Sequence, residues 1–138
     1  MPYMHKKTFE IYIEAYEIED AGDYFFVDDL MALPIQALNR KGYITEYCCA
    51  GHPFEGCMSY ISFSEGVVSL PPLPAGFEKE VSISDKLIIR KYYKYDGVDV
   101  YGIMPVIVET MRQLYEWTLS LPEYKEYYKL HVQRLRDK

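Results

Sequence analysis

Apolar and polar positions alternate from Thr8 to Ala15, with Phe9, Ile11, Ile13 and Ala15 on one side and Glu10, Tyr12 and Glu14 on the other. A period of two predicts a strand, although Phe9, Ile13 and Tyr16 also fit a helical stripe. Tyr16 to Val27 mixes acids, Gly22 and aromatics and reads as a connection. Asp28 and Asp29 then offer oxygens that accept the first free N–H groups of a helix. Leu30, Leu33, Ala37 and Leu38 follow at helical spacing. Pro34 lacks an N–H and crowds the preceding turn, so this helix either kinks there or starts in earnest near Leu33. Gly42 sits where a left-handed C-terminal cap belongs.

Tyr43 to Cys49 and Met58 to Phe63 read as strands rich in Tyr, Ile and Thr. Val67 to Phe77 holds Pro71, Pro72, Pro74 and Gly76, which excludes regular structure. Val81 to Ile83 is a short apolar run. Leu87 to Tyr95 and Val98 to Ile103 flank Asp96-Gly97 and predict a hairpin with a two-residue turn. Pro105 is suited to a helix's first position. The helix behind it runs to about Ser120, with Ile107, Met111, Leu114 and Leu121 in one stripe. Pro122 stops it and opens a last helix, Glu123 to Asp137, with Tyr124, Tyr128, His131 and Leu135 in its stripe. Helices at both ends with mostly adjacent strands between them predict an α+β fold, a mixed or antiparallel sheet with C-terminal helices packed on it.

Composition narrows the function classes. A chain of 138 residues predicts a single domain, 1–138, large enough for its own core. No run of 18 apolar residues occurs, so no membrane span is expected. The N-terminus has no apolar segment behind its lysines, which argues against secretion. The three cysteines are an odd number with two adjacent, unlike a disulfide framework, and this predicts a reducing, cytoplasmic setting. The net charge is −6, and residues 1–30 carry all of it, with eight acids against Lys6 and Lys7. An acidic leader on a neutral body is a poor match to a phosphate backbone, so nucleic acid is not the expected partner. The basic residues near the end, Lys125, Lys129, Arg134, Arg136 and Lys138, read as a solvated helix end.

The chemistry concentrates in Glu46 to Cys57, "EYCCAGHPFEGC", with all three cysteines and His52. Three readings compete. Cys49, His52 and Cys57 are candidate zinc ligands, whereas Cys48 and Cys49 on one strand point to opposite faces and cannot share a metal. Cys49 is alternatively a thiol activated by His52, or a small buried hydrophobe, which is the reading for Cys48. Thirdly, Gly51 permits a positive φ, so Ala50-Gly51-His52 can turn N–H groups toward a ligand. His131 reads as packing at the core edge and His5 as a mobile terminus. The Tyr–Lys alternation of "KYYKYDGVDVYG" and "PEYKEYYKLH" can stack single-stranded bases, but in an acidic chain it reads rather as amphipathic surface. Phe25, Phe26 and Leu70 to Phe77 are candidates for interface surface.

"ALNRKGYITEYCCAGH", with Asp28 ahead of it, resembles a small uncharacterised family of Gram-positive bacteria and their phages. That family's pattern is an aspartate, a helix, L-N-x-K-G-Y-x-T-x-Y-C-C-[SA]-G-H and a Y-I-x-F strand. "YISF" at Tyr60 to Phe63 and "LPAGF" at Leu73 to Phe77 continue it. The stretch is also similar to the corresponding segment of the tRNA wybutosine-synthesis methyltransferases, where T-x-S-S-C-[SA]-G-R precedes a strand. His52 stands here for that arginine, and Tyr47-Cys48-Cys49 for its S-S-C. The similarity spans roughly a third of the chain. It implies a small-molecule or nucleotide pocket lined by Asn39, Thr45, Cys49, Gly51 and His52, with S-adenosylmethionine as the cofactor. The alternatives are a non-catalytic, phage-related interaction protein with structural cysteines, or a small zinc-binding domain.

Overall fold

A computed structural model describes residues 2–12, 21–51, 57–95 and 99–132. In chain order the elements are β1 (Tyr3–His5), β2 (Ile11–Tyr12), β3 (Tyr24–Phe26), α1 (Ala32–Arg40), β4 (Thr45–Cys49), β5 (Met58–Phe63), β6 (Glu78–Val81), β7 (Leu87–Tyr92), α2 (Val100–Ser120) and α3 (Tyr124–Tyr127). Short 3-10 turns at Ala21–Asp23 and Asp29–Met31 lead into β3 and α1, and a π turn at Tyr128–Val132 follows α3. The fold is α+β, and its strands form two antiparallel sheets, ordered β2-β1-β3 and β4-β5-β7-β6.

The four-stranded sheet buries one face. Ile61 and Phe63 of β5 and Leu87 and Ile89 of β7 share a core with Ile103, Ile107, Met111 and Leu114 of α2 and Ile35 and Leu38 of α1. These are the odd positions of β5 and β7, and in α2 they include Ile107, Met111 and Leu114 of the expected stripe; in α1 only Leu38 of the expected stripe is in the core, because Leu30 and Leu33 face outward and Ile35 turns inward instead. The other face carries the even positions of β5, β7 and β6 and, past the bulge in β4, Cys49. Cys49, Tyr60, Arg90 and Glu78 follow one another across it in register. Among the described residues no helix is long and apolar enough to cross a membrane.

Several expectations are corrected. The strand expected from Val98 to Ile103 is absent, because α2 already runs from Val100. Asp99 accepts the Gly102 N–H at 2.9 Å and caps that helix, and a side-chain cap outweighs the β-branched composition of the segment. Asp96 and Gly97 lie outside the described residues. Pro105 is therefore the sixth residue of α2, inside the helix and not at its start. The segment read as a connection contains β3, and β1 precedes the first expected strand. That strand is described only at Ile11–Tyr12, and Phe9 turns with φ +58° before it. His5 is not a loose terminus: it lies in β1, its Nδ1 accepts the N–H groups of Lys7 and Thr8, and its ring meets Tyr24 edge-on. Leu70 and Phe77 are core residues rather than interface surface. Trp117 Nε1 donates to Pro72 O at 2.7 Å, and Tyr124 and Tyr127 bond Val68 and Ser69, so the proline-rich loop is tied to the C-terminal helices.

Pro34 falls at the third position of α1, where its missing N–H would have had no helical partner. Gly42 follows the helix with φ +91° and Tyr43 is fully buried. Lys41, between the helix and Gly42, closes the far end of α2. Its Nζ donates to the carbonyls of Thr118 (2.9 Å), Leu119 (2.8 Å) and Leu121 (2.7 Å) at the negative end of the helix, where Thr118 O also accepts the Leu121 N–H. Lys41→Met keeps the aliphatic stem and removes all three bonds. A loss of about 2 kcal/mol is expected, read as a lower urea midpoint at unchanged slope.

Candidate functional site

The stretch singled out in the sequence is the edge of a sheet. β4 is an outer strand, and alternate residues of an outer strand turn their N–H groups away from the neighbouring strand. Two of these groups are met by side chains at opposite ends of α1. Thr45 N–H donates to Asn39 Oδ1 at 3.0 Å, and Ala50 N–H donates to Asp28 Oδ2 at 3.2 Å. Asp28 Oδ1 accepts from Leu30 N–H at 3.1 Å and caps the turn before the helix. Asn39 Nδ2 donates to Ile35 O at 2.8 Å and to Thr45 Oγ1 at 2.9 Å. The lengths match. Helical rise from Asp28 to Asn39 is about 16 Å at 1.5 Å per residue, and Thr45 to Ala50 extends about 16 Å at 3.3 Å per residue.

Gly51 follows β4 with φ +107° and is buried. A Cβ there would lie 3.3 Å from Met58 O, 3.4 Å from Cys57 Sγ and 3.5 Å from Tyr93 Cε2. Ser59 fixes the contact. Its hydroxyl donates to Ala50 O, so the Tyr93 hydroxyl donates to Ser59 Oγ, at 2.6 Å. The glycine loop is thus held against the Tyr93 ring.

Pairing of Cys48 with Ile61 and of Cys49 with Tyr60 puts the two thiols on opposite faces, as strand alternation requires. Cys48 packs against the core. Burial pushes its thiol up from 9.0 to about 11, opposed by the Asp28 backbone N–H and reinforced by the Asp28 charge. It is therefore a thiol, not a nucleophilic thiolate, at neutral pH. The folded state holds this proton more tightly than the unfolded state, so its stabilising contribution is complete below pH 9 and is lost as pH rises to about 11. Cys48→Ala is expected to flatten the stability slope in that window, measured by urea unfolding at several pH values. Cys57 is 1% exposed. Among the described residues no three His, Cys, Asp or Glu side chains converge on a possible metal position. His52 lies outside the described residues.

One hollow borders this edge, and another meets it through Tyr93. The larger, about 710 Å³, is lined by Tyr93, Lys94, Tyr95, Asp99, Gly102, Ile103 and Val106, between the end of β7 and the start of α2. Tyr93 is the wall it shares with Gly51. The smaller, about 240 Å³, runs along the free edge of β4 toward β3 and is bounded by Thr45, Glu46, Tyr47, Cys48, Cys49 and Tyr60, with Phe25, Phe26, Asp28 and Ile35 opposite. Burial, then the neighbouring Cys49 and Cys48, raise the pKa of the Tyr60 hydroxyl and keep it neutral.

The five expected pocket residues are therefore divided. Thr45 and Cys49 line the smaller hollow, and Gly51 backs the larger through Tyr93. Asn39 lines neither; its amide is consumed in joining α1 to β4, because a buried amide must satisfy both its donor and acceptor atoms. Tyr93, Tyr60 and Lys94 were not expected. Tyr60 pairs with Cys49 across the strands, so the alternation of "MSYISF" opposite "EYCC" already carried a signal for it. Tyr93 and Lys94 lie in the Tyr–Lys run that reads as amphipathic surface, and that Tyr93 meets Gly51 depends on Ser59.

No protein-family model, no curated protein and no solved structure matches this chain.

Proposed function

We propose that the protein binds a small molecule of nucleoside size in the cleft beside Gly51. The observation that carries this reading is the shared wall: the Tyr93 ring rests on Gly51 and lines a hollow of about 710 Å³. Volumes of roughly 300–1,000 Å³ suit a small organic ligand, and such sites combine apolar walls with few polar groups. Ile103, Val106 and the tyrosines supply the walls here, and Lys94 and Asp99 the polar groups. The similarity of the β4 segment to the wybutosine methyltransferases makes S-adenosylmethionine the first ligand to try, and methyl transfer the reaction it would serve. The cysteines do not enter this reading. Cys48 is held as a thiol in the core edge, and Cys49 opens to the other hollow.

The test is a melting curve with and without S-adenosylmethionine and S-adenosylhomocysteine. At about a hundred times Kd a native-state ligand adds roughly 2.7 kcal/mol, which should raise Tm by at least about 5 °C in a chain of this size. Val106→Trp, at a half-exposed helix position, fills the cleft and should abolish the shift. No shift with either nucleoside at millimolar concentration rejects the S-adenosylmethionine assignment, and a shift that survives Val106→Trp rejects this cleft.

A further inference from the structure

The smaller hollow has a different chemistry. Four aromatic side chains, Phe25, Phe26, Tyr47 and Tyr60, line it, together with the carboxylates of Asp28 and Glu46 and, among the described residues, no lysine or arginine. We propose that this slot between β3 and β4 is a binding site for a quaternary ammonium group.

Three observations lead to that class of ligand. The first is electrostatic. Aromatic faces are negative and attract a cation within about 6 Å of the ring centre. Asp28 adds a charge that is in no ion pair among the described residues; its oxygens accept two backbone N–H groups. The second is size. About 240 Å³ is too small for a nucleoside but accommodates a trimethylammonium head and part of its chain.

The third separates quaternary from ordinary ammonium. The acceptors around the slot are partly committed. Both Asp28 oxygens hold N–H groups, Thr45 Oγ1 accepts from Asn39, and Glu46 accepts from Lys86 at 2.6 and 2.9 Å. A cation with N–H donors must compete with these bonds for the remaining lone pairs to replace its hydration, which is costly. A quaternary ammonium has no donors to satisfy. It needs only aromatic faces and a nearby negative charge, and both are present.

The site is independent of the cleft beside Gly51, so the two readings fail separately. The experiment is a ¹H–¹⁵N titration of the intact protein with tetramethylammonium chloride, at ionic strength matched with sodium chloride. Neopentanol, uncharged and of similar shape, serves as the control. Saturable shifts are expected at the amides of Phe26, Tyr47 and Tyr60, with neopentanol at least about tenfold weaker, the size of one or two cation–π contacts. Phe26→Ala and Tyr47→Ala change side chains that are 60% and 64% exposed, so the fold should persist. Each should weaken binding severalfold. Choline and a trimethyllysine peptide, titrated in the same way, distinguish a free metabolite from a protein side chain as the source of the group. Equal binding of neopentanol, shifts that do not saturate, or affinity unchanged in both variants would overturn the assignment.

Discussion

Gly42→Val is expected to cost roughly 3 kcal/mol, the sum of about 1–2 kcal/mol for an L side chain in the left-handed region and about 1–3 kcal/mol for overpacking. The residue has φ +91°, and its missing Cβ would lie 3.2 Å from Tyr124 Cβ. The contact cannot relax freely. Tyr124 N–H donates to Lys41 O at 2.7 Å, its hydroxyl accepts from Val68 N–H at 2.9 Å, and its ring meets Tyr43 at 5.0 Å. Displacing Tyr124 therefore loosens both the last helix and the proline-rich loop. A fall in Tm of about 10 °C should accompany the change, together with faster hydrogen exchange at the Val68 amide. Gly42→Ala should lie between the two proteins. A valine variant within about 0.5 kcal/mol of the parent, the range of neutral surface changes, would show that the turn yields elsewhere and that the glycine is not required.

Asn39→Leu is the second large effect, and it separates a structural from a ligand-binding asparagine. Leucine keeps nearly the same volume but provides neither the donor nor the acceptor. The Thr45 N–H loses its acceptor at a part-buried strand edge, and Ile35 O and Thr45 Oγ1 lose the donor they shared. An unsatisfied buried polar group costs about 1–3 kcal/mol, so a loss of roughly 2–3 kcal/mol is expected, measured by urea unfolding. Affinity for ligands of either hollow, measured at a temperature where the variant is folded, should change little. Unchanged stability with lost binding would return Asn39 to the pocket, where the sequence similarity had placed it.

The two residues show how far local pattern reaches. α1, β4, β5 and the glycine turn between the first two are all legible in the chain. The helical span of α1, the capping aspartate, the positive-φ glycine and the β-rich segments each depend on neighbours within a few positions, whereas the buried face of α1 turns on Ile35 rather than Leu30 and Leu33. The opposite facing of Cys48 and Cys49 follows from the same period-two geometry. The failures also have a local origin. Asp-Gly between apolar runs reads as a hairpin, yet Asp99 caps a helix three residues before Gly102, and the β-branched residues around it are carried into α2. β1 and β3 have three residues each, too short for any periodicity to register, and they exist because they pair with each other.

By itself the sequence determined an α+β chain, where the helix–turn–strand unit lies, and that its polar and thiol groups gather around β4. What those groups do was decided only by tertiary contacts. Asp28 reaches Ala50 across 22 residues, Lys41 reaches the end of α2 across about 80, and Tyr93 reaches Ser59 across 34. Such long-range contacts settle which polar atoms are consumed in holding the sheet edge and which side chains are left facing a hollow. The pattern of a strand records which face a residue is on, but not what the rest of the chain brings to that face.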